Sequence, residues 1–390
     1  MANNNKNTGP NVPALRFPEF SGEWVNQRLG DTCTFFSGGT PASSRKEYYG
    51  GNIPFIRSGE LHSDSTALYI TEEAYNSCSA KMVNNGDLLL ALYGATSGDI
   101  SISKINGAIN QAILCIRPDN LDTYFIKSLW ERHKEHILET YLQGGQGNLS
   151  SEIVKNICFR FPSIQEQIKI STLFQILDER ISTQSKIIEE LNTLRSALIE
   201  KVFQSSCQTI EIGSVVCQTS ERNRNSLYSN VLSVSNRYGF INQSEQFEDR
   251  NVASDDVRNY KIVRNGDFAY NPARINVGSI AMLKRFDSGI VSPMYICFRI
   301  NTSIVDPSYF ELFLKSRSFK DEMEIRLEGS VRRCLSFDAM CEILIPYPDV
   351  IIQRTIAENI GKISSKIELE EDILAAYANQ KEWLLKQMFI

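Results

Sequence analysis

PSIQEQIKISTLFQILDERI, from Pro162 to Ile181, and PDVIIQRTIAENIGKISSKI, from Pro348 to Ile367, decide the fold. Each is a proline, a residue that starts helices and a long apolar period. The two stand 186 residues apart in the same phase, with Gln167 opposite Gln353, Ile170 opposite Ile356 and Ile181 opposite Ile367. Stepping by threes and fours along the first gives Ile170, Phe174, Leu177, Ile181, Gln184, Ile188, Leu191, Arg195, Leu198 and Val202. The same steps along the second give Ile356, Ile360, Ile363, Ile367, Glu370, Leu374, Tyr377, Lys381, Leu384 and Met388. Each seam is apolar at eight of ten positions, and the polar interruptions match, Gln184 with Glu370 and Arg195 with Lys381. A seam of mean period 3.5 with rare polar members is the pattern of a coiled coil, where such members fix register. At about 1.5 Å per residue, some 38 residues make a rod of roughly 57 Å. Two matched stripes predict pairing with one another over ordinary core packing of each. Ser163 with Glu166 three residues on predicts a capping box at the first start, and Asp349 a lone cap at the second.

The repeat extends outward. Leu149-Ser150 in GGQGNLSSE matches Leu335-Ser336 in GSVRRCLSFD at the same separation. Further upstream Asn85-Gly86-Asp87 matches Asn265-Gly266-Asp267, and Gly98 matches Gly278, both 180 residues apart; Gly30 matches Gly213 at 183. So small a drift needs only short insertions in surface loops, which cost little. Between these landmarks, NIPFIRS, DLLLALYG, NQAILCIRP, KNICFRFP and the matching YSNVLSVS, DFAYNPAR, SIAML, MYICFRI and CEILIPYP are short runs rich in β-branched and aromatic residues. Gly, Asn, Asp and Pro punctuate them, as between strands. A helical piece is predicted at Tyr124 to Tyr141 and again at Tyr309 to Leu327. The chain therefore reads as α+β: a disordered lead-in over 1–14, a strand-rich domain over 15–162, a helix over 163–205, a second strand-rich domain over 206–348 and a second helix over 349–390.

The 390 residues exceed one ordinary core, and no apolar run approaches the roughly 18 residues that span a bilayer. The polar start MANNNKNTGPNVP lacks the apolar centre of a signal peptide. Nine cysteines form no CxxC pair, and Cys115, Cys158 and Cys297 lie in apolar runs, which predicts a reducing, cytoplasmic setting. Of the three histidines, His62, His133 and His136, the last two lie in ERHKEHI, a solvated helix face rather than a metal site. A net charge of −5 argues against coating nucleic acid through bulk positive charge and leaves local basic loops as the alternative.

No Walker A pattern, GxGxxG, HExxH or GxSxG occurs. Asn271-Pro272 in YNPAR matches only the start of the Asn-Pro-Pro-aromatic motif of amino-methyltransferases, since Ala273 and Arg274 replace its second half. What remains is polar loops suited to DNA contact. GSVRRCLS offers Ser330, Arg332 and Arg333, and arginine binds guanine O6 and N7 or a phosphate. The equivalent QGGQGNLS offers Gln143, Gln146 and Asn148, whose amides suit adenine. Further candidates are Arg57 and Ser58 in PFIRSGE, Tyr93 and Ser97 in LYGATSG, Arg237 and Tyr238 in VSNRYG, and Arg274 in NPARINVG. A solvated side chain or a surface ion pair is the plain alternative for any single arginine; different side chains in equivalent loops are what two different half-sites require.

A strand-rich domain, a polar Gly-loop, Leu-Ser, a strand, a proline, a Gln-Glu-Gln helix start and a long helix, all repeated once, resemble the specificity subunit of type I restriction-modification enzymes. The resemblance runs from about Leu15 to Phe389. Its most specific pieces are PALRFPEFSGEWVNQRLGD and FPSIQEQIKISTLFQILDERI; the second copy departs, lacking the Gln165-Glu166-Gln167 run and reading Ile352-Gln353-Arg354 around its matching glutamine. The resemblance implies a non-catalytic reader of double-stranded DNA with two target-recognition domains in pseudo-twofold arrangement, each reading half of a split, asymmetric target. It implies helices paired as an antiparallel coiled coil that set the gap and dock two modification (methyltransferase) subunits, with two restriction (translocase and nuclease) subunits completing the complex and no membrane partner. No cofactor is implied in this chain; S-adenosylmethionine, ATP and Mg are implied on the partners. The rivals are a structural adaptor with twin binding domains on a coiled-coil spacer, and a lone methyltransferase, against which the missing glycine-rich loop speaks.

Overall fold

The structure, a computed structural model, describes residues 11–141, 148–204, 208–236, 238–243, 256–329 and 333–390. It divides into two units, residues 1–185 with 372–390, and residues 186–371.

In the first unit the strands are β1 (Val25–Arg28), β2 (Cys33–Ser37), β3 (Tyr49–Ile56), β4 (Tyr69–Ile70), β5 (Lys81–Val83), β6 (Leu88–Ala91), β7 (Ile100–Ile102), β8 (Gly107–Ile109), β9 (Ile113–Pro118) and β10 (Cys158–Phe161). They form two four-stranded sheets, ordered β2-β9-β6-β7 and β4-β3-β8-β5, and an antiparallel ribbon β1-β10. Only β3 and β8 run parallel, with Ile56 beside Ile109. The second unit has β11 (Thr209–Glu211), β12 (Val216–Thr219), β13 (Val231–Ser235), β14 (Gly239–Asn242), β15 (Lys261–Arg264), β16 (Phe268–Tyr270), β17 (Ile280–Met282), β18 (Ser288–Val291), β19 (Ile296–Ile300) and β20 (Leu344–Pro346). Its sheets are ordered β12-β19-β16-β17 and β14-β13-β18-β15, with ribbon β11-β20 and one parallel pair, β13 with β18. The repeat read from sequence is thus a repeat of topology, strand for strand. β6 and β16 are buried at every residue, which is why they read as continuous apolar runs rather than alternating ones.

Asn-Gly-Asp proves to be a turn and a clamp at once. Gly86 and Gly266 take φ of 97° and 86°, a region that favours glycine. Asp87 accepts from the Asn84 amide at 2.8 Å and from Arg117 at 2.9 and 2.6 Å, binding the turn to β9. Asp267 does the same with the Arg264 amide and Arg299 on β19. Burial alone would raise the Asp87 carboxyl, but Arg117 and the Asn84 amide together hold it below the ordinary carboxylate value.

The helices of the first unit are α1 (Leu29–Thr32), α2 (Glu72–Asn76), α3 (Thr123–Tyr141) and α4 (Ser151–Asn156), followed by the long α5 (Ile164–Phe203). The second unit has α6 (Pro307–Lys315), α7 (Arg317–Arg326) and α8 (Phe337–Cys341), followed by the long α9 (Val350–Met388). α5 has 40 residues and α9 39, and every position of both predicted seams is buried or half-buried. In the first unit the start of α5 lies against the end of α9: Ile170, Phe174 and Leu177 share a core with Leu384, Leu385 and Met388, and the rings of Phe174 and Phe389 lie 5.6 Å apart. In the second, Ile199 and Phe203, late in α5, share a core with Ala357 and Ile360, early in α9. The helices therefore pair antiparallel.

Three local expectations change. Ser163 Oγ does accept from the Glu166 amide, at 3.4 Å, but no capping box forms: the buried Glu166 carboxylate takes two bonds from Arg16, at 2.8 and 2.7 Å. A charge-assisted bidentate pair outweighs a return bond to the cap. The helical piece at Tyr309 to Leu327 breaks in two, because Ser316 is extended (ψ 156°), donates to Phe313 O at 2.7 Å and caps the Phe319 amide at 3.2 Å. Finally, Leu-Ser is followed by a short helix rather than directly by a strand. Leu149 and Leu335 are buried, while Ser150 and Ser336 cap α4 and α8, each at 3.2 Å.

Candidate nucleic-acid interface

In each unit three loops meet at one edge of the strand body. In the first unit they are the β6–β7 loop with Tyr93 and Ser97, the β8–β9 loop with Asn110 and Gln111, and the segment that ends at Asn148 before α4. The backbone joins them. The Leu149 amide donates to Leu92 O at 2.8 Å, and the Leu92 amide to Ala112 O at 2.8 Å. The Asn110 amide donates to Ile56 O at 3.3 Å, which sets Arg57 and Ser58 beside the same loops. The second unit repeats the arrangement: the Leu335 amide donates to Pro272 O at 3.2 Å, and the Tyr270 hydroxyl donates to Leu335 O at 3.3 Å. The buried leucine of each Leu-Ser pair thus pegs its own segment to the β6–β7 or β16–β17 loop. A rigid support behind variable side chains is what a recognition surface needs.

The first unit's site is polar and neutral at its centre. Gln111, which the sequence reading missed, accepts a hydrogen bond from Thr40 Oγ1 and sits beside the Tyr93 phenol. Burial raises the Tyr93 hydroxyl above its ordinary value against the effect of Gln111, so it stays protonated. A carboxamide has two acceptor lone pairs and two N–H donors. With Thr40 on one acceptor position, an acceptor and an N–H donor remain, the pair that matches adenine N6 and N7. Ser97 Oγ donates to Leu92 O at 3.1 Å, so it shapes the loop, while Asn148 is exposed. Arg57 is exposed and paired with Glu60 at 3.1 Å. That hydrogen bond raises the guanidinium and lowers the carboxyl, but an exposed pair is worth at most about 1 kcal/mol and yields readily to a phosphate.

The second unit's site is cationic and partly apolar. Arg274 is exposed, and its guanidinium has no partner among the described residues. It shares a cavity of about 210 Å³ with Ser279, Ser292, Met294 and Tyr295. Ser279 Oγ donates to Val234 O at 3.1 Å, and the Val234 amide donates to the Tyr295 hydroxyl at 3.3 Å, which fixes the wall. Ahead of Leu335, Glu328 and Cys334 form an antiparallel bridge, exchanging bonds of 3.0 and 2.8 Å. Arg333 is paired with the Glu324 carboxylate and the Glu324 carbonyl on α7, both at 2.9 Å, an exposed pair like that of Arg57 with Glu60.

Tyr238 is 68% exposed but belongs elsewhere, in a cavity of about 370 Å³ with Lys284, Arg285, Glu311 and Lys315. Gln143, Gln146, Arg237, Ser330 and Arg332 lie outside the described residues. Gln111 and Met294 were legible only as members of the matched segments INQAIL and VSPMYI, which open β9 and β19. Among the described residues no group of three or more His, Cys, Asp or Glu is placed to hold a metal, and His133 is engaged with Ile390 O at 2.9 Å. No described helix is long and apolar enough to cross a membrane. Burial pushes the matched thiols Cys115 and Cys297 up to about 12, which marks them as packing groups.

Residues 21–193 match the family described as type I restriction modification DNA specificity domain. Among curated proteins the chain is 24% identical over 393 residues to the type I restriction enzyme MjaVIII specificity subunit of Methanocaldococcus jannaschii, covering 91% of this chain and 89% of that one. It is 28% identical over 193 residues to the MjaIX specificity subunit of the same organism, covering 46% and 44%. Among solved structures, the S subunit of a type I restriction-modification system from M. genitalium superposes with a TM-score of 0.64 at 16% identity, over 97% of this chain and 99% of that one. A chain from a structure on assembly and conformational transition of the type I system gives 0.54 at 14% identity, over 94% and 97%.

Proposed function

We propose that this chain, a type I restriction-modification specificity subunit by its domain and its relatives, reads a bipartite duplex target, one half with each unit. The observation that carries the reading is the doubled three-loop site, pegged by Leu149 on Leu92 and by Leu335 on Pro272 and dressed with different side chains. A shared support with unlike surfaces fits two unlike half-sites, and so an asymmetric target. In the first site Gln111, Asn148, Arg57 and Ser58 face the DNA, with Tyr93 and Ser97 as supports and Gln143 and Gln146 on the same loop. In the second, Arg274 faces the DNA with Ser330 and Arg332 from the stretch ahead of Leu335, and Arg333 is paired with Glu324. Arg237 and Tyr238, between β13 and β14 in sequence, add a contact apart from that site. α5 and α9 set the gap between half-sites, as dimer geometry does in other readers, and dock two modification subunits, with two restriction subunits completing the assembly. The chain is non-catalytic; S-adenosylmethionine, ATP and Mg belong to the partners, and the complex works in the cytoplasm.

Duplex binding titrated against salt tests the reading. Each phosphate neutralised contributes a slope of about −0.9 in log affinity against log salt. A slope steeper than about −3 is expected. Binding that ignores both salt and duplex would support a protein adaptor and overturn the proposal.

A further inference from the structure

The second site carries a feature that a purely polar reader has no use for. Met294, on the β18–β19 loop, is 61% exposed, and Val277, on the β16–β17 loop that carries Arg274, is 52% exposed. Large exposed apolar groups next to a solvent-facing guanidinium gain little from burial within the fold. The position equivalent to Met294 in the first unit, one residue ahead of β9, is Ala112, which is buried. The methionine is also held. Asn271 donates from Nδ2 to Met294 Sδ at 3.6 Å, its Oδ1 accepts from the Ala273 amide at 3.1 Å, and its carbonyl accepts from the Arg274 amide at 3.0 Å. One asparagine therefore fixes both the thioether and the start of the arginine, and both groups line the same cavity with Ser292 and Tyr295.

In the major groove, guanine presents N7 and O6 as acceptors, and thymine is the base that carries a C5 methyl group. A guanidinium suits the first and a soft, exposed thioether the second. We propose that Arg274 and Met294 together read a guanine next to a thymine in the second half-site, with Asn271 as the positioning residue, so that recognition there depends on the pyrimidine 5-methyl group. The proposal rests on the split-target reading above. Among the described residues the first site has no exposed apolar partner beside Gln111, so the methyl dependence is confined to one half.

The test uses the full chain assembled with its modification partner and the target obtained by selection from randomised duplexes. Replacing thymine by uracil at each position in turn removes only a methyl group. One position in the second block, adjacent to guanine, is expected to lose about fourfold in affinity, the worth of one buried methyl, and the first block to be indifferent. Met294→Ala is expected to abolish that difference between thymine and uracil. Arg274→Ala is expected to cost tenfold or more at the adjacent guanine. Unchanged selection of the first block by both variants reports that they fold. Two clean blocks without guanine beside thymine in the second, or no uracil effect there, would overturn this inference alone. Enrichment of no duplex at all would overturn the reading on which it rests.

Discussion

Replacing Gln353 by methionine isolates the joint between a strand body and its long helix. The carboxamide is fully buried and serves three backbone groups: Nε2 donates to Pro348 O at 2.7 Å and Ile304 O at 3.1 Å, and Oε1 accepts from the Asp306 amide at 2.9 Å. Methionine keeps the volume and removes all three bonds. An unpaired buried polar group costs about 1–3 kcal/mol, a carbonyl less than an amide because its second lone pair is often used elsewhere. One amide and two carbonyls then come to about 3–4 kcal/mol, at the upper end of single-residue effects. Gln167 is the built-in control. It serves only two groups, donating to Pro162 O at 2.9 Å and accepting from the Asp122 amide at 3.0 Å, so Gln167→Met should cost about 2–3 kcal/mol. Urea unfolding followed by tryptophan fluorescence reports on the first unit, since Trp24 and Trp130 lie in its core, and far-ultraviolet circular dichroism reports on both. A loss below about 1 kcal/mol at Gln353, or a larger loss at Gln167 than at Gln353, would refute the joint as the source of the repeated Pro-x-x-x-x-Gln spacing.

Other outcomes follow from the same structure. Asp178 lies in the first unit among Lys127, Lys381, Tyr124 and Glu131; burial pushes its carboxyl up, but the two lysines and the Tyr124 hydroxyl leave it below its ordinary value. Its contribution is therefore full above the ordinary aspartate value and lost as pH falls through the depressed one, so Asp178→Asn should flatten the loss of urea stability below about pH 4. Lys381 is raised, burial opposing and Glu131 and Asp178 prevailing, so its share is lost only on the alkaline side. Removing seven matched residues from each long helix, two turns and about 10 Å, should shorten the gap between DNA blocks by about three base pairs and leave both blocks unchanged; an unaltered gap in a folded protein would show that the helices are not the ruler. Gln111→Leu should erase an adenine preference in the first block only, and Arg332→Ala with Arg333→Ala should damage the second block only, as read by duplex selection; equal damage to both blocks by either change would count against the division of labour.

Much of this was legible in the sequence because the repeat is carried by residues with long-range duties. The seam residues of α5 and α9, the Asn-Gly-Asp clamps and the paired glutamines each serve a contact that both copies must keep. The rest escaped for physical reasons. α4 and α8, of six and five residues, are too short to show a helical period, so their capping serines read as loop residues. Glu166 obeyed a local rule until Arg16, 150 residues away, offered a stronger partner. Gln111 and Met294 gain meaning only because the parallel β3–β8 and β13–β18 pairs bring the following loop to the site, a crossover that no local pattern announces. Arg333, expected from its neighbours in sequence to contact DNA, is paired with Glu324 on α7, a partner that lies in another helix and that no local pattern announces.

The central claim is that one chain reads two unlike DNA blocks at a fixed separation. Selection of bound duplexes from a randomised pool, with this chain co-purified with its modification partner, tests it most directly. The account predicts two short defined blocks of different sequence separated by a constant undefined gap. A single block, a palindrome, or an intact complex that retains no duplex at low salt would contradict it.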